Sequence, residues 1–316
     1  SRQLMRDLQD TRITILTPQL PVVYRNGGIG TFTRHFVRLL HRAGFQHLHL
    51  IYCSPLEQPR SAWEAEYTQM GVRVSTIYRY QKPFEVLPGF DEWQQVSNRA
   101  WHLIDSETDL IYCADWRANA MIAAQSRRYQ AHHTPLIATV MHGPAAWGRQ
   151  NMRLLPSWVD ELRQEYQERY AVEHSDYLAT PSAFTFDWAL THHWALPPEP
   201  RRFALGCPWL PAPEATAPPA PLPSNRFRHL IFFGRVETRK GIYLLLDALA
   251  EMCAARAERQ LLSQLDTITL IGQRGLLTFG PIDGNLRALT EATGVPVIWH
   301  DQLNSTEAQA MLHQHA

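Results

Sequence analysis

The chain has 316 residues, of which 45% are hydrophobic and 19% are charged, with 30 basic and 30 acidic side chains. This composition supplies enough apolar residues for a large buried core and excludes a globally disordered protein. A formal net charge of zero excludes a global field that would attract nucleic acid or an anionic membrane, so any bound anion needs a local site.

The N-terminal part of the chain alternates short apolar runs with helically spaced apolar residues. Strands are predicted at residues 12–17, 47–53, 72–78, 109–113, 135–141 and 177–180. Helices are predicted at residues 31–43, 90–104, 118–129 and 158–174, and from residue 181 onward. Each strand has the composition of one that is buried on both faces. The order therefore predicts a parallel sheet covered by helices, in a Rossmann-like doubly wound α/β domain over residues 1–207.

A proline-rich stretch at residues 208–224 marks the predicted domain boundary. Seven of the sixteen residues at 208–223 are proline, so this stretch can form neither a helix nor an interior strand. We predict that it is a semi-rigid, extended linker.

Residues 225–316 are predicted to form a second Rossmann-like α/β domain. Its strands are predicted at residues 229–233, 267–271 and 295–300, and its helices at residues 241–255, 286–293 and 306–315. A complete doubly wound domain usually has about five or six strands, so we expect this second domain to be incomplete.

The four cysteines and the N-terminus bear on the cellular compartment. The cysteine spacing matches no metal-binding or redox motif, so we predict reduced thiols and no metal site. The N-terminus lacks the apolar core of a signal peptide, and no apolar run approaches the ~18 residues of a membrane span. We expect a cytoplasmic protein without a transmembrane segment.

A glycine-rich segment, GGIG, lies between the first predicted strand and the first predicted helix. Its residues Gly28, Ile29 and Gly30 would let the backbone approach a ligand, and the following helix N-terminus would favour an anion. An ordinary tight turn is the alternative interpretation.

A second glycine-containing loop carries basic residues. Gly234, Arg235, Lys240 and Gly241 follow the strand at 229–233 and precede a predicted helix. Phosphates bind guanidinium and ammonium groups, and a helix N-terminus adds its dipole. Ligands of open α/β sheets bind where the strands end, so the spacing predicts a phosphate site. Two solvated basic side chains in a loop are the alternative.

Two other strand ends offer candidate side chains. His142 follows the strand at 135–141 and can donate a hydrogen bond to a ligand, although a structural histidine is the simpler interpretation. Asp115 and Trp116 form an acid–aromatic pair that suits a sugar. A helix-capping aspartate beside a packed tryptophan is the alternative.

Together these motifs resemble the two-domain (GT-B fold) glycosyltransferases, and more closely the retaining group that includes glycogen synthase-like and sucrose synthase-like enzymes. The resemblance rests on GGIGT after the first strand, HG at the end of a later strand, and GRVETRKGIYLLLDAL at the start of the second domain. The tripeptide ADW is similar to the HDW of those synthases, and SDYLATPSAF resembles another of their segments.

The resemblance implies transfer of a hexose from a nucleotide diphosphate sugar to an acceptor hydroxyl, with retention and without metal or cofactor. Arg235 and Lys240 would hold the diphosphate and stabilise its developing charge, and His142 would hydrogen-bond the donor sugar. Asp115 and Trp116 would lie on the acceptor side. The reaction would occur in the cleft between the domains, with the linker as a hinge. Further donor-binding residues implied by the resemblance are Gly28, Ile29, Gly30, Gly234, Gln273, Arg274 and Gly275.

Two departures from the family pattern shape the expectation for this chain. Ala114 stands where HDW has histidine, and the chain ends at Ala316, before the paired-glutamate segment that lines half of the family's donor pocket. We therefore expect a weakly active or inactive form. Two other hypotheses stay open, a sugar-nucleotide epimerase on the same fold and a non-catalytic nucleotide-sugar-binding or assembly module.

Overall fold

The computed structural model describes residues 9–20, 28–54, 63–77, 89–127, 135–206, 228–301, 303, 307–308 and 310–312. The chain divides into two compact units, Ser1–Gly148 with Leu155–Pro211, and Arg149–Leu154 with Ala212–Ala316. The linker predicted at residues 208–224 lies outside the described residues.

A parallel sheet of seven strands forms the centre of the first unit. Its strands are β1 (Arg12–Thr17), β2 (His47–Tyr52), β3 (Arg73–Thr76), β4 (Leu110–Ala114), β5 (Leu136–Val140), β6 (Tyr177–Thr180) and β7 (Arg202–Ala204). They lie in the order β3-β2-β1-β4-β5-β6-β7. The parallel sheet confirms the prediction, and six of the strands match predicted ones. The short edge strand β7 is an addition that its sequence, RFA, does not predict.

Helices pack on both faces of this sheet. They are α1 (Gly28–Arg42), α2 (Glu64–Thr68), α3 (Glu92–Leu103), α4 (Met121–Ser126), α5 (Ala145–Asn151), α6 (Val159–Glu173) and α7 (Ala183–Thr191). Ile15 of β1 packs in one core cluster with Val37 of α1. The next residue, Leu16, packs in another with Val96 of α3. Because successive strand residues point to opposite faces, this alternation produces the doubly wound arrangement.

The helix predicted at residues 118–129 is the clearest local difference. The structure has a 3₁₀ turn at Trp116–Ala118 and then the shorter helix α4. Arg117 and Ala118 have positive φ angles of 65° and 45°, which an α-helix cannot accommodate. The spacing of apolar residues correctly indicated a helix, but the backbone first passes through the left-handed region, so the helix begins later than predicted.

The second unit contains a three-stranded parallel sheet in the order β10-β9-β8. Its elements are β8 (His229–Phe233), α8 (Ile242–Ala254), α9 (Arg256–Leu262), β9 (Thr267–Ile271), α10 (Asp283–Thr293) and β10 (Val297–His300). Leu270 of β9 packs with Ile242 and Leu246 of α8. The two parallel sheets confirm the predicted α/β fold class. Most of the helix predicted at residues 306–315 lies outside the described residues.

Strand order also locates the expected binding edge of the first unit. The chain direction across the sheet reverses between β1 and β4, which are neighbours although they are not consecutive in the chain. In open α/β sheets, ligands bind at such a switch point, beyond the carboxyl ends of the strands. The start of α1, Asp115 after β4 and His142 after β5 all lie at this edge.

Candidate functional site

His142 lies in the turn between β5 and α5, with its ring against α1. The ring packs edge-on against Phe32, with the two ring centroids 4.7 Å apart. Burial lowers the pKa of His142 from 6.5 to about 4, so the imidazole is neutral near pH 7. A neutral imidazole donates one hydrogen bond and accepts another, as contact with a sugar hydroxyl requires.

Asp115 holds this turn by its main chain. The carboxylate accepts hydrogen bonds from the backbone N–H groups of Trp116 at 2.9 Å, His142 at 3.0 Å and Gly143 at 3.1 Å. Its side chain is fully buried, and burial raises its pKa to about 6. The predicted acceptor-side role would require a carboxylate that is open to a sugar. In this conformation the carboxylate faces backbone N–H groups instead. The alternative that Asp115 caps the following turn describes its position.

Glu168, on α6, also binds the segments that follow β4 and β5. Its carboxylate accepts hydrogen bonds from the backbone N–H of Arg117 at 2.9 Å, the backbone N–H of Ala145 at 2.6 Å and the side chain of Gln164 at 2.7 Å. The residue is fully buried, and burial raises the pKa of its carboxyl to about 7. Glu168 was missed in the sequence because it lies among the many charged residues of a helix that has no strong amphipathic pattern.

Trp116 faces a cation. The guanidinium of Arg117 lies 4.0 Å from the centre of the Trp116 ring and 3.7 Å from that of Trp93. One guanidinium thus contacts two indole rings, a cation–π arrangement that fixes the orientation of Trp116. The predicted acceptor-side tryptophan is half-buried and follows β4 at the expected binding edge of the sheet.

The three residues of the GGIG segment that the structure describes form the first turn of α1. A Cβ on Gly30 would lie 3.1 Å from the backbone carbonyl carbon of Leu20, so glycine allows the helix to pack against the loop after β1. Gly28 is exposed and has open space around it, and Ile29 is half-buried. Of the two glycines, only Gly28 therefore leaves the backbone open to a ligand.

In the second unit, two loops meet where β8 and β9 end. A Cβ on Gly272 would lie 2.0 Å from the carbonyl oxygen of Gly234, a distance that only glycine permits. Val236 donates its backbone N–H to the carbonyl of Gln273 at 2.9 Å, and Gly275 donates to Val236 at 2.9 Å. The structure therefore brings Gly234, Gln273 and Gly275 together within this unit.

Arg235, one of the basic residues predicted to bind phosphate, pairs with a buried carboxylate. Glu237 pairs with Arg239 at 2.6 Å and with Arg235 at 3.6 Å. Arg235 keeps 47% of its side chain exposed, whereas Glu237 keeps 5%. Arg235 is thus anchored through one nitrogen and stays accessible to an anion. Glu237 is a second acidic residue that sequence reasoning missed.

Lys240 lies at the start of α8, directly before Gly241. Gly241 adopts the left-handed conformation, with φ 81°, and caps the helix. Burial, and then the charge of Arg239, lowers the pKa of Lys240 from its ordinary value. An ammonium group next to a helix N-terminus gives two favourable contributions for a bound phosphate.

Arg274 is occupied by contacts within its own unit. It donates a hydrogen bond to Asp283 at 2.9 Å and stacks over the ring of Trp299, with 4.5 Å from guanidinium carbon to ring centroid. This contact lowers the pKa of the Asp283 carboxyl. Half of the Arg274 side chain stays exposed beside the indole ring of Trp299.

A cavity of about 310 Å³ lies elsewhere in the first unit, between the start of α3 and α6. Its lining includes Asp91, Leu162 and Tyr166, and no residue of the His142 turn. Among the residues that the structure describes, no three His, Cys, Asp or Glu side chains cluster as a metal site would require. In the same residues, no helix is long and apolar enough to span a membrane.

Comparison with known proteins finds one matching family. Residues 27–206 match the family described as "Glycosyl transferase 4-like domain". A comparison with curated proteins gives no match.

Three solved structures that align with this chain have low identity to it. A UDP-glucosyltransferase from Polygonum tinctorium has 10% identity and a TM-score of 0.44, over 92% of this chain and 72% of that one. Apo UGT2 from Phytolacca americana has 10% identity and a TM-score of 0.45, over 96% and 85%. UGT71G1 from Medicago truncatula, complexed with UDP-glucose, has 10% identity and a TM-score of 0.45, over 95% and 74%.

Proposed function

Because this chain belongs to the family of glycosyl transferase 4-like domains, we propose that it transfers a hexose from a nucleotide diphosphate sugar to an acceptor hydroxyl. The family match over residues 27–206 is the observation that carries this proposal. The reaction needs a group that stabilises the charge of the departing nucleotide diphosphate and a group that orients the sugar.

Arg235 and Lys240 are the proposed diphosphate ligands. An exposed guanidinium anchored by Glu237, and an ammonium at the N-terminus of α8, support this role. Both would interact more strongly with the leaving diphosphate than with the intact donor, because negative charge accumulates there in the transition state. In this proposal these cationic side chains carry the charge stabilisation without a metal ion or a cofactor.

His142 is the proposed contact to the donor sugar. Its neutral imidazole supports this role, because it can hydrogen-bond a sugar hydroxyl. A neutral imidazole also does not repel the positive charge that develops on the sugar ring during glycosyl transfer. We also propose that the transfer retains the anomeric configuration and that the protein acts in the cytoplasm. The resemblance to retaining synthases supports retention, and the reduced cysteines support the compartment.

The proposal is tested by the release of nucleotide diphosphate from a panel of UDP-, GDP-, ADP- and dTDP-hexoses, with and without a mixture of hydroxyl acceptors. Arg235→Ala is expected to lower kcat/KM by about 10²–10³ while the unfolding transition is kept. Arg256→Ala, an exposed arginine at the start of α9, is the matched control and should have wild-type activity.

Other outcomes of this assay separate the remaining hypotheses. Conversion of one nucleotide sugar into another without acceptor would identify an epimerase. Thermal stabilisation by a nucleotide diphosphate sugar without turnover would identify a binding module. Wild-type turnover by Arg235→Ala would contradict the assignment of the diphosphate site.

A further inference from the structure

We infer that Asp115 and Glu168 are positioning residues that set the place of the His142 ring, an inference that rests on the proposed function for its catalytic consequence. Both carboxylates accept hydrogen bonds from backbone N–H groups of the turn that carries His142. Asp115 binds the N–H of His142 itself and of Gly143, and Glu168 binds the N–H of Ala145.

The donors around each carboxylate explain why the residue must be an acid. Asp115 receives three backbone N–H groups, and Glu168 receives two with one side-chain amide. An ionised carboxylate has two acceptor oxygens and no donor, so it can satisfy all these groups. In Asn or Gln one oxygen becomes an NH₂ group, which would face an N–H donor. The isosteric amide therefore keeps the volume and loses at least one of the three hydrogen bonds.

The free-energy cost of this arrangement indicates that the two acids do more than close a loop. Burying two carboxylates costs solvation free energy, because a buried charge is unfavourable unless it is fully hydrogen-bonded. The same loops hold Arg117 and Ala118 at positive φ, and Glu168 binds the N–H of Arg117 directly. Strained non-glycine residues persist where the surrounding structure over-determines them, and they are concentrated at functional sites.

The contacts also show how the carboxylates act on the ring. Asp115 fixes the main-chain nitrogen of His142, and the ring extends from that point to Phe32. Gly143, whose N–H binds Asp115, has a φ of 124°, which sets the direction of the turn. If one carboxylate is lost, the turn can shift, and the ring moves from its apolar contact into water. The ring pKa therefore reports its position.

The first experiment measures the pKa of His142 by NMR in ¹⁵N-histidine-labelled protein, with the signal assigned by its loss in His142→Gln. In the wild type, burial holds this pKa at about 4. In Glu168→Gln and Asp115→Asn, we expect the pKa to rise by at least about one pH unit towards 6.5, because the ring gains hydration. Asp160→Asn, at an exposed site on the same helix, is the control.

The direction of the change separates positioning from electrostatics. Burial raises the pKa of Asp115 to about 6 and that of Glu168 to about 7, so both carboxyls are mostly neutral where His142 titrates. Any charge that the variants still remove near the histidine would lower its pKa, whereas release of the ring into water raises it. An unchanged or lowered pKa in both variants would overturn the inference. If Glu168→Gln does not fold, Gln164→Met removes one donor to Glu168 at a half-buried site. It should raise the His142 pKa in the same direction by a smaller amount, and an unchanged pKa would again contradict positioning.

The second experiment measures kcat and the donor dissociation constant. A displaced His142 should lower kcat about 10- to 100-fold and weaken donor binding by a smaller factor, because the proposed diphosphate ligands Arg235 and Lys240 are unchanged. The NMR titration of His142 requires no substrate, so the positioning role and the proposed sugar transfer can be disproved separately. Raised His142 pKa values with no sugar transfer by the wild type would overturn the proposed function and keep the positioning. Normal kcat with unchanged pKa values would overturn the positioning alone.

Discussion

The side chain of Glu237 occupies the space that a side chain at Gly275 would need. A Cβ built on Gly275 would lie 2.7 Å from the Cβ of Glu237 and 2.7 Å from its Oε2. The same carboxylate pairs with Arg235 and Arg239. Because Gly275, after β9, has no side chain, Glu237 can pack there and hold the two arginines of the loop after β8.

Gly275→Ala is expected to destabilise the second unit by about 1–3 kcal/mol, because the added methyl group overlaps a buried side chain. Gly284→Ala, in the first turn of α10, meets no atom within 4 Å and should be neutral or slightly stabilising. Urea unfolding of the two variants measures the difference. Equal midpoints would contradict the close packing of Glu237.

The turn after β5 offers a second matched pair of glycines. Gly143 has φ 124°, and a Cβ there would lie 2.7 Å from Cε3 of Trp147, so Gly143→Ala should cost more than about 2 kcal/mol. Gly148, within α5, has open space and should tolerate alanine with a gain of about 0.5–1 kcal/mol. Thermal and urea denaturation of both variants tests the prediction, and opposite signs are the expected result.

Acid sensitivity should come in part from His49. Burial, and then the charge of Arg73, lowers the pKa of His49 from 6.5 to about 4. Its Nδ1 lies 2.6 Å from an Arg73 nitrogen, so Nδ1 accepts and Nε2 donates to Ser75 at 2.8 Å. The native state thus binds fewer protons than the unfolded state between these pH values. Stability from this group is present above pH 6.5 and is lost as the pH falls towards 4.

The expected loss of unfolding free energy is about 3 kcal/mol, because a pKa that differs by one between the folded and unfolded states corresponds to about 1.4 kcal/mol. His49→Gln should therefore show a shallower fall in unfolding free energy between pH 6.5 and 4 than His47→Gln, whose exposed site on the same strand makes it the control. Asp115 and Glu168 have raised pKa values and act in the opposite direction, but they are common to both variants. Parallel pH profiles would contradict the buried neutral histidine.

The buried thiols should be unreactive in the folded protein. Burial raises the pKa of Cys53 and raises that of Cys113 to about 12, and both residues are free and buried. Since the thiolate is the nucleophile, neither should react with iodoacetamide near pH ~8 until the chain unfolds. Mass spectrometry after timed alkylation measures each site. Rapid labelling of Cys113 in the native state would show that β4 opens locally.

The sequence predicted the parallel sheets because their strands are short apolar runs that hardly depend on distant residues. Arg12–Thr17 and His229–Phe233 have the predicted limits. Helix α1 begins three residues before the predicted start, since the glycines of GGIG were assigned to the loop. Glycine is a weak helix former, and packing of Gly30 against Leu20 overrides that preference.

The acids that organise the candidate site were not predictable in this way. Glu168 and Glu237 have ordinary neighbours in the sequence, and their burial depends on N–H groups and arginines brought by the fold. No glycine stands at or beside Arg117 to indicate a left-handed turn, and its positive φ accompanies the contact with Glu168, 51 residues away. Polar side chains that bind the backbone leave no periodic pattern to detect.

The contacts of Asp115 and Glu168 join three segments that are far apart in the chain, namely the end of β4, the turn after β5 and the middle of α6. We expect these segments to be exchangeable between relatives only as a group. A loop taken from a relative and grafted after β5 would keep its shape only if the matching β4 end and α6 were transplanted with it. Recombination between relatives should accordingly succeed at crossovers outside residues 115–168 and fail at most crossovers within them.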